Sequence, residues 1–234
     1  MAAPGMGRLR VAVASDQSLV LEAVRTALAA RDLNVTPLRW AGERVPAPRR
    51  APAARRFDVG LMISDLDKWS RLRGVASLMG SVRVPWVVLT GAVRGPLWGA
   101  ALEFGARAVI SSDTPLRAVQ ATLRGVLRGE TNPTSAEAVV LRAGWQELRE
   151  QREQLQSRVG SLTPREREVL RLLYAGDSVA RISEMFDVSP TTVRSQVKAV
   201  LRKLDVNSQL AAVAAFGQLI ELDDPIRLDQ PALT

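Results

Sequence analysis

The sequence predicts two domains of different class, an α/β domain in the first half and an all-α domain at the C-terminal end. Three observations carry this reading. Up to Gly129, short apolar runs alternate with amphipathic stretches, as in a parallel sheet covered by helices on both faces. From Glu137 to Val159 the apolar residues take up helical spacing, with no strand-like run. From Leu162 to Val213, helical segments with clear start and stop residues follow one another across short polar breaks.

In the first half, Leu9 to Ala14 (LRVAVA) reads as a buried strand. Leu19 to Ala30 reads as a helix with Leu21, Val24, Ala27 and Leu28 on one face. Asn34 to Leu38 is a weaker second strand, Val59 to Ile63 a third, and Trp86 to Thr90 (WVVLT) a fourth. Pro96 to Phe104 is helical and ends at Gly105; Ala108 to Ile110 is a fifth strand. Leu116 to Leu127 is a last amphipathic helix, closed by Gly129. These elements make up an α/β domain over 1–135. Residues 40–56 break the pattern: AGERVPAPRRAPAARR is rich in proline and arginine and reads as a loop, either a solvated insertion or an arm for phosphate or a partner.

Residues 136–160 form a helical linker. Leu141, Leu148, Leu155 and Leu162 recur every seven residues, with Trp145, Arg152 and Val159 at companion positions. Such a seam pairs two helices or packs one helix on its own domain, so Leu141, Leu148 and Leu155 are candidate dimer contacts. The third segment, 161–222, opens with Thr163 as N-cap, Pro164 at the first helical position, and Glu166 completing a capping box. Val169, Leu170, Leu172 and Leu173 form its buried face, and Gly176 ends it. Val179 to Phe186 is the next helix, with Ile182, Met185 and Phe186 expected inward. Asp187 to Ser189 turns the chain, and Ser189 caps a helix with Pro190 in its first turn. There Val193, Val197, Val200, Leu201 and Leu204 face the core, while Arg194, Ser195, Lys198 and Arg202 face away. The tail, 223–234, is acidic and proline-bearing and is expected to fray.

Composition narrows the chemistry. The 234 residues are 47% hydrophobic and include no cysteine and no histidine. A disulfide framework, a thiolate metal site and a cysteine nucleophile are excluded, and the commonest general base is missing. No nucleophile–base–orienter set, metal-ligand cluster or glycine-rich phosphate loop stands in the sequence, so an enzyme is not expected. No apolar run is long enough for a membrane span, and the N-terminal apolar stretch is too short for a secretion signal. A cytoplasmic binding protein is the expectation. The formal charge of +8 does not locate the binding surface: Met1 to Ala136 holds 19 basic and 10 acidic residues, but Gly160 to Thr234 holds 9 and 10. Local charge is more telling, since Ser189 to Leu204 carries Arg194, Lys198, Arg202 and Lys203 and no acid.

A capped scaffold helix, a tight turn and a basic second helix are the parts of a helix-turn-helix that enters a DNA major groove. The run LTPREREVL, AG, IS, VSPTTVRSQVKAVLRKLDV, SQLAAV resembles the LuxR/NarL-type helix-turn-helix of bacterial transcription regulators over about a quarter of the chain. The resemblance implies base-facing places for Arg194, Ser195 and Lys198, and phosphate-contacting or helix-anchoring places for Thr191, Thr192, Gln196 and Lys203. It also implies a homodimer formed through the last helix, about Ser208 to Leu219, with Ala211, Ala212, Ala215 and Leu219 as its surface; double-stranded DNA as partner; and contact with RNA polymerase. Departures are Arg194 for the usual lysine, Gln196 for the usual histidine, and Ala180-Arg181-Ile182-Ser183 for Lys-Glu-Ile-Ala.

The stretches VAVASDQSLVLEAVRTAL, DVGLMISDL, WVVLTGA and EFGARAVISSDTPLRAVQATLRGVLRGE resemble a response-regulator receiver domain of flavodoxin-like fold. Phosphotransfer there needs an acid pair after the first strand for Mg²⁺, a carboxylate acceptor after the third, a hydroxyl after the fourth and a lysine after the fifth. The matching places hold Ser15-Asp16, Asp65, Thr90 and Ser112. One acid and the lysine are therefore replaced, which weakens the Mg²⁺ site and implies an atypical receiver not run by ordinary phosphorylation. A ligand or protein partner for the vacated pocket is the corresponding expectation. The competing readings are a phosphorylation-switched regulator using Asp65, a sigma-factor-like subunit sharing the LTPRERE pattern, and a protein-interaction module without DNA.

Overall fold

The computed structural model describes residues 8–38, 40 and 57–222. The chain divides into two compact units, Met1–Glu147 and Leu148–Thr234. The division falls inside the linker helix. The proline- and arginine-rich loop beyond residue 40 and the tail from residue 223 lie outside the described residues.

The first unit contains strands β1 (Arg10–Ser15), β2 (Asn34–Pro37), β3 (Val59–Ile63), β4 (Trp86–Thr90) and β5 (Ala106–Ser111), and helices α1 (Ser18–Ala29), α2 (Trp69–Ser81), α3 (Pro96–Glu103) and α4 (Leu116–Leu127). The five strands form one parallel sheet in the order β2-β1-β3-β4-β5. Side chains alternate across a strand. Val11, Val13, Val59, Leu61, Val87, Leu89, Ala108 and Ile110 therefore share one face, packed with Leu28 of α1 and Val119, Leu123 and Val126 of α4. On the opposite face, Trp86 lies so close over Gly60 that any Cβ there would collide with its ring. Asp58 accepts from the backbone N–H of Arg10 at 2.8 Å and from its guanidinium at 2.7 Å, tying β3 to β1. The Arg10 hydrogen bond holds that carboxyl below the ordinary aspartate range.

Helix α2 is an element the sequence reading passes over. Leu72, Val75, Leu78 and Met79 are buried at helical spacing, but Gly74, Gly80 and five polar residues dilute the stripe. Helix α5 (Ser135–Gly160) begins within the first unit. Its N-terminus is held by Glu137, which accepts from Thr134 N–H and Oγ1 at 2.9 and 2.7 Å and pairs with Arg94. Trp145 is buried, with its ring 4.9 Å from that of Trp69 and edge-on to Phe104. Gly99 of α3 lies directly against the Leu141 carbonyl. The start of the heptad seam thus packs within its own unit. Leu141 is half-buried, and its backbone carbonyl lies against α3.

The second unit is all-α: the end of α5, then α6 (Pro164–Tyr174), α7 (Val179–Phe186), α8 (Pro190–Leu204) and α9 (Gln209–Leu222). Two adjoining apolar clusters hold it together. Leu162, Leu170, Val200, Leu204, Ala212 and Phe216 make one; Val169, Leu172, Leu173, Ile182, Val193 and Val197 make the other. Two expectations are corrected here. Met185 is 54% exposed, because α7 turns Val179, Ile182 and Phe186 toward the core. Ala212 is 1% exposed inside the cluster with Phe216, and Leu219 is also buried, so neither is free to form a surface. Ala211 and Ala215 are half-buried, and Leu148 and Leu155 likewise. No helix among the described residues is long and apolar enough to cross a membrane.

Candidate functional site

Local chemistry sets the helix-turn-helix. Thr163 Oγ1 accepts from Glu166 N–H, and Glu166 Oε2 accepts from Thr163 N–H at 2.7 Å, so two otherwise orphaned donors of α6 are satisfied reciprocally. Ser178 Oγ accepts from Arg181 N–H at the start of α7. Asp187 then takes a left-handed conformation (φ 51°), closing α7 and turning the chain toward α8. Ser189 Oγ accepts from Thr192 N–H at 3.1 Å, and its hydroxyl also meets Thr192 Oγ1 at 2.9 Å. The Arg165 guanidinium lies 3.2 Å from the ring centroid of Phe186, clamping the end of α7 onto α6.

Behind α8, Val193, Val197, Val200 and Leu204 are buried; on its outer side, Thr191, Arg194, Ser195, Lys198 and Arg202 are exposed. Within this unit, Arg149, Arg158, Arg165, Arg171, Arg181 and Lys203 all form ion pairs. Among the described residues Arg194, Lys198 and Arg202 form none, and they make a stripe of unpaired charge at four-residue spacing on the outer side of α8; Arg167 on α6 also lacks an ion pair and donates to Leu162 O.

The structure sorts the other predicted residues by what they touch. Lys203 Nζ donates to Glu166 Oε2 at 2.7 Å and to Ser161 O at 3.2 Å, so it anchors α8 to the start of α6 and does not belong to the outer face. The Lys203 hydrogen bond is the main cause that keeps the Glu166 carboxyl below the usual glutamate range, against its burial. Thr192 serves the Ser189 cap, and the Ser195 hydroxyl donates to Thr191 O at 3.1 Å. Gln196 is half-buried with its Oε1 enclosed and unpartnered, which places it at the edge of the outer face.

At the other end of the chain, the β-strand C-termini bring together Asp16, Asp65, Thr90 and Ser112. Asp16 follows β1, and Asp65 lies two residues beyond β3. Thr90 is buried, and its Oγ1 accepts from Ala92 N–H at 3.1 Å. Ser112 N–H donates to Thr90 O at 2.8 Å, and a Cβ on Gly91 would lie 3.0 Å from Asp65 Oδ1 and 3.6 Å from Ser112 Oγ. The sequence reading missed the residue at the centre of the acids. Arg71, from the first turn of α2, pairs with Asp16 at 2.8 Å through Nε and with Asp67 at 2.6 Å through Nη1, and lies 4.0 Å from Asp65. The available signal was the four-residue spacing of Asp67 and Arg71, which a missed helix hides. The receiver fold implies Mg²⁺ here, but a guanidinium already meets the carboxylates that would hold it. No group of three or more potential metal ligands is arranged for an ion among the described residues.

Comparison with known proteins agrees with this geometry. Residues 160–216 match the GerE family, described as bacterial regulatory proteins of the luxR family. The transcriptional regulatory protein DesR of Bacillus subtilis (strain 168) is 27% identical over 127 residues, 54% of this chain and 57% of DesR. The nitrate/nitrite response regulator protein NarL of Escherichia coli (strain K12) is 31% identical over 118 residues, 50% of this chain and 53% of NarL. The chain spans little more than half the length of these curated relatives. Among solved structures, the response regulator ChrA of a heme-sensing two-component system covers 92% of this chain and 100% of its own at a TM-score of 0.43 and 20% identity. A parallel five-stranded α/β unit is thus joined to a helix-turn-helix domain of the luxR family, in a chain homologous to the response regulators DesR and NarL.

Proposed function

We propose that this chain is a DNA-binding transcription regulator that inserts α8 into the major groove and works as a dimer. The observation that carries the reading is the stripe of Arg194, Lys198 and Arg202, three cations without an ion pair on one exposed helix face. An arginine reads guanine through O6 and N7, and phosphate contacts supply affinity without sequence information. Arg194 is the base-reading residue, with Ser195 and Lys198 beside it. Thr191 and Arg202 meet phosphates. Thr192, Gln196 and Lys203 shape and hold the helix. Leu148 and Leu155 on α5 and Ala211 and Ala215 on α9 are candidates for a two-fold contact that would set two half-sites one turn of DNA apart. The first unit is an atypical receiver: Ser15 and Ser112 stand where an acid and a lysine are needed, and Arg71 holds Asp16. The protein acts by binding, with its input arriving through a ligand or protein partner of the first unit and its output at RNA polymerase.

The test is selection of duplexes from a random pool at low salt, followed by anisotropy on the winner. Arg194→Ala should weaken binding by ~1–3 kcal/mol and relax preference at one base pair. Lys198→Ala should weaken it further and make the salt dependence shallower by about 0.9 in log–log slope, if it neutralises one phosphate. Equal binding by wild type and both variants would remove α8 from the interface. For the first unit, a small phosphodonor followed by intact mass should show no acid-labile phosphoryl group; its appearance on Asp65 would favour a phosphorylation-switched regulator.

A further inference from the structure

We infer that Arg71 is a built-in cation of the strand-end pocket, a tethered guanidinium standing in the place of an exchangeable divalent ion. The inference is independent of DNA binding and rests on the first unit alone. Three carboxylates from two loops converge on one side chain: Asp16 from the end of β1, and Asp65 and Asp67 from the loop after β3. Different guanidinium nitrogens serve them, Nε for Asp16 and Nη1 for Asp67, which is the forked geometry arginine offers and a lysine cannot.

The surrounding backbone is shaped for this arrangement. Leu66, between the two aspartates of the loop, has a φ of 58° and is fully buried. A left-handed conformation is unfavourable for a non-glycine residue, and burial of the leucine side chain offsets that cost. That turn leaves Asp65 and Asp67 on the exposed side, both within reach of the guanidinium. Asp67 also precedes the N-terminus of α2, where a carboxylate is favoured, whereas Arg71 in the first turn is a cation at the positive end of the helix. Its position there is explained by the acids and not by the helix.

The pocket encloses the central pair. The Arg71 side chain is 26% exposed and that of Asp16 16%. Salt screens such a pair less than one at the open surface. Burial acts to lower the Arg71 pKa, but the three aspartates together raise it. The guanidinium is therefore a fixed positive charge, as arginine side chains are in proteins. Mg²⁺ requires near-octahedral oxygen ligands and gives up its water reluctantly. To reach Asp16 and Asp65 it would first have to displace a side chain that cannot diffuse away. A unit built this way does not respond to the concentration of the free ion.

The experiment is Mg²⁺ titration of the full chain, read by calorimetry and by tryptophan fluorescence; Trp69 lies two residues from Arg71 at the start of α2. Wild type should give no saturable response in the millimolar range. Arg71→Gln leaves three uncompensated carboxylates and should acquire a saturable response in the millimolar range or below, with a melting temperature that rises with Mg²⁺. Should the like charges prevent Arg71→Gln from folding, Arg71→Gln with Asp67→Asn removes one of them, keeps Asp16 and Asp65, and should acquire the same response. Saturable binding of Mg²⁺ by wild type overturns the inference. So does a folded variant of either kind that stays blind to the ion.

Discussion

Replacing Lys203 with methionine tests whether α8 is held in place by one ion pair. Lys203 Nζ donates to Glu166 Oε2 at 2.7 Å and Ser161 O at 3.2 Å; the lysine side chain is 28% exposed and that of the glutamate 11%. An exposed pair is worth roughly 0–1 kcal/mol, whereas removing one partner of a fully buried pair costs about 3–5. This pair lies between those limits. Glu166 keeps the donor Thr163 N–H at 2.7 Å, and methionine retains the apolar stem of the lysine. The expected cost is therefore about 2 kcal/mol, close to one hydrogen bond to a charged group. The chain separates the readouts of its two units. All five tryptophans lie at or before Trp145, in the first unit, while the second unit is all-helical. In urea, the tryptophan transition should stay in place while part of the far-UV circular dichroism transition moves to lower denaturant by roughly 1 M. Acid should erase the difference. The Glu166 carboxyl is depressed in the folded state, so its contribution is present above the ordinary glutamate pKa of about 4.3 and is lost as pH falls through the depressed value. A helical transition that does not move at neutral pH, or a gap between wild type and variant that widens on acidification, would refute the reasoning.

Two further substitutions probe the scaffolds of the two units. Gly99→Ala places a methyl against the Leu141 carbonyl and the Trp145 side chain; it should destabilise the first unit by about 1–3 kcal/mol, with a shifted tryptophan transition and an unchanged helical one for the second unit. Thr163→Ala removes the acceptor for Glu166 N–H while leaving the Glu166–Lys203 pair; it should lower stability of the second unit by ~0.5–2 kcal/mol, read from the same far-UV signal. An equal loss in Lys203→Met and in the double variant would show that cap and ion pair act as one network.

Much of the architecture was legible from local patterns. Strands β3 and β4 and helix α4 begin and end where continuous apolar runs and the 3.6-residue stripe place them. Thr163, Ser178 and Ser189 start their helices because a side-chain oxygen reaches a backbone N–H three residues on, which depends only on nearby residues. The outer face of α8 follows from the same periodicity. Helix α2 was lost because its glycines and charged residues dilute the apolar stripe, although Leu72, Val75, Leu78 and Met79 are buried all the same.

What distant parts of the chain do to one another was not legible. A cation in the sequence looks alike whether it reads DNA or holds a helix; only the fold sets Lys203 against Glu166 and leaves Arg194 and Lys198 uncompensated. The alanines of α9 share one composition, yet Ala212 packs beside Phe216 while Ala211 and Ala215 stay nearer the surface. Arg71 lies 55 positions from Asp16, and pattern gives no reason to join them until the parallel pairing of β1 and β3 brings the two loops to the same end of the sheet. Periodicity and caps are local and short-ranged, so one dimension carries them. Ion pairs and packed faces depend on separation in space, which the chain acquires only when the sheet and the helical core close.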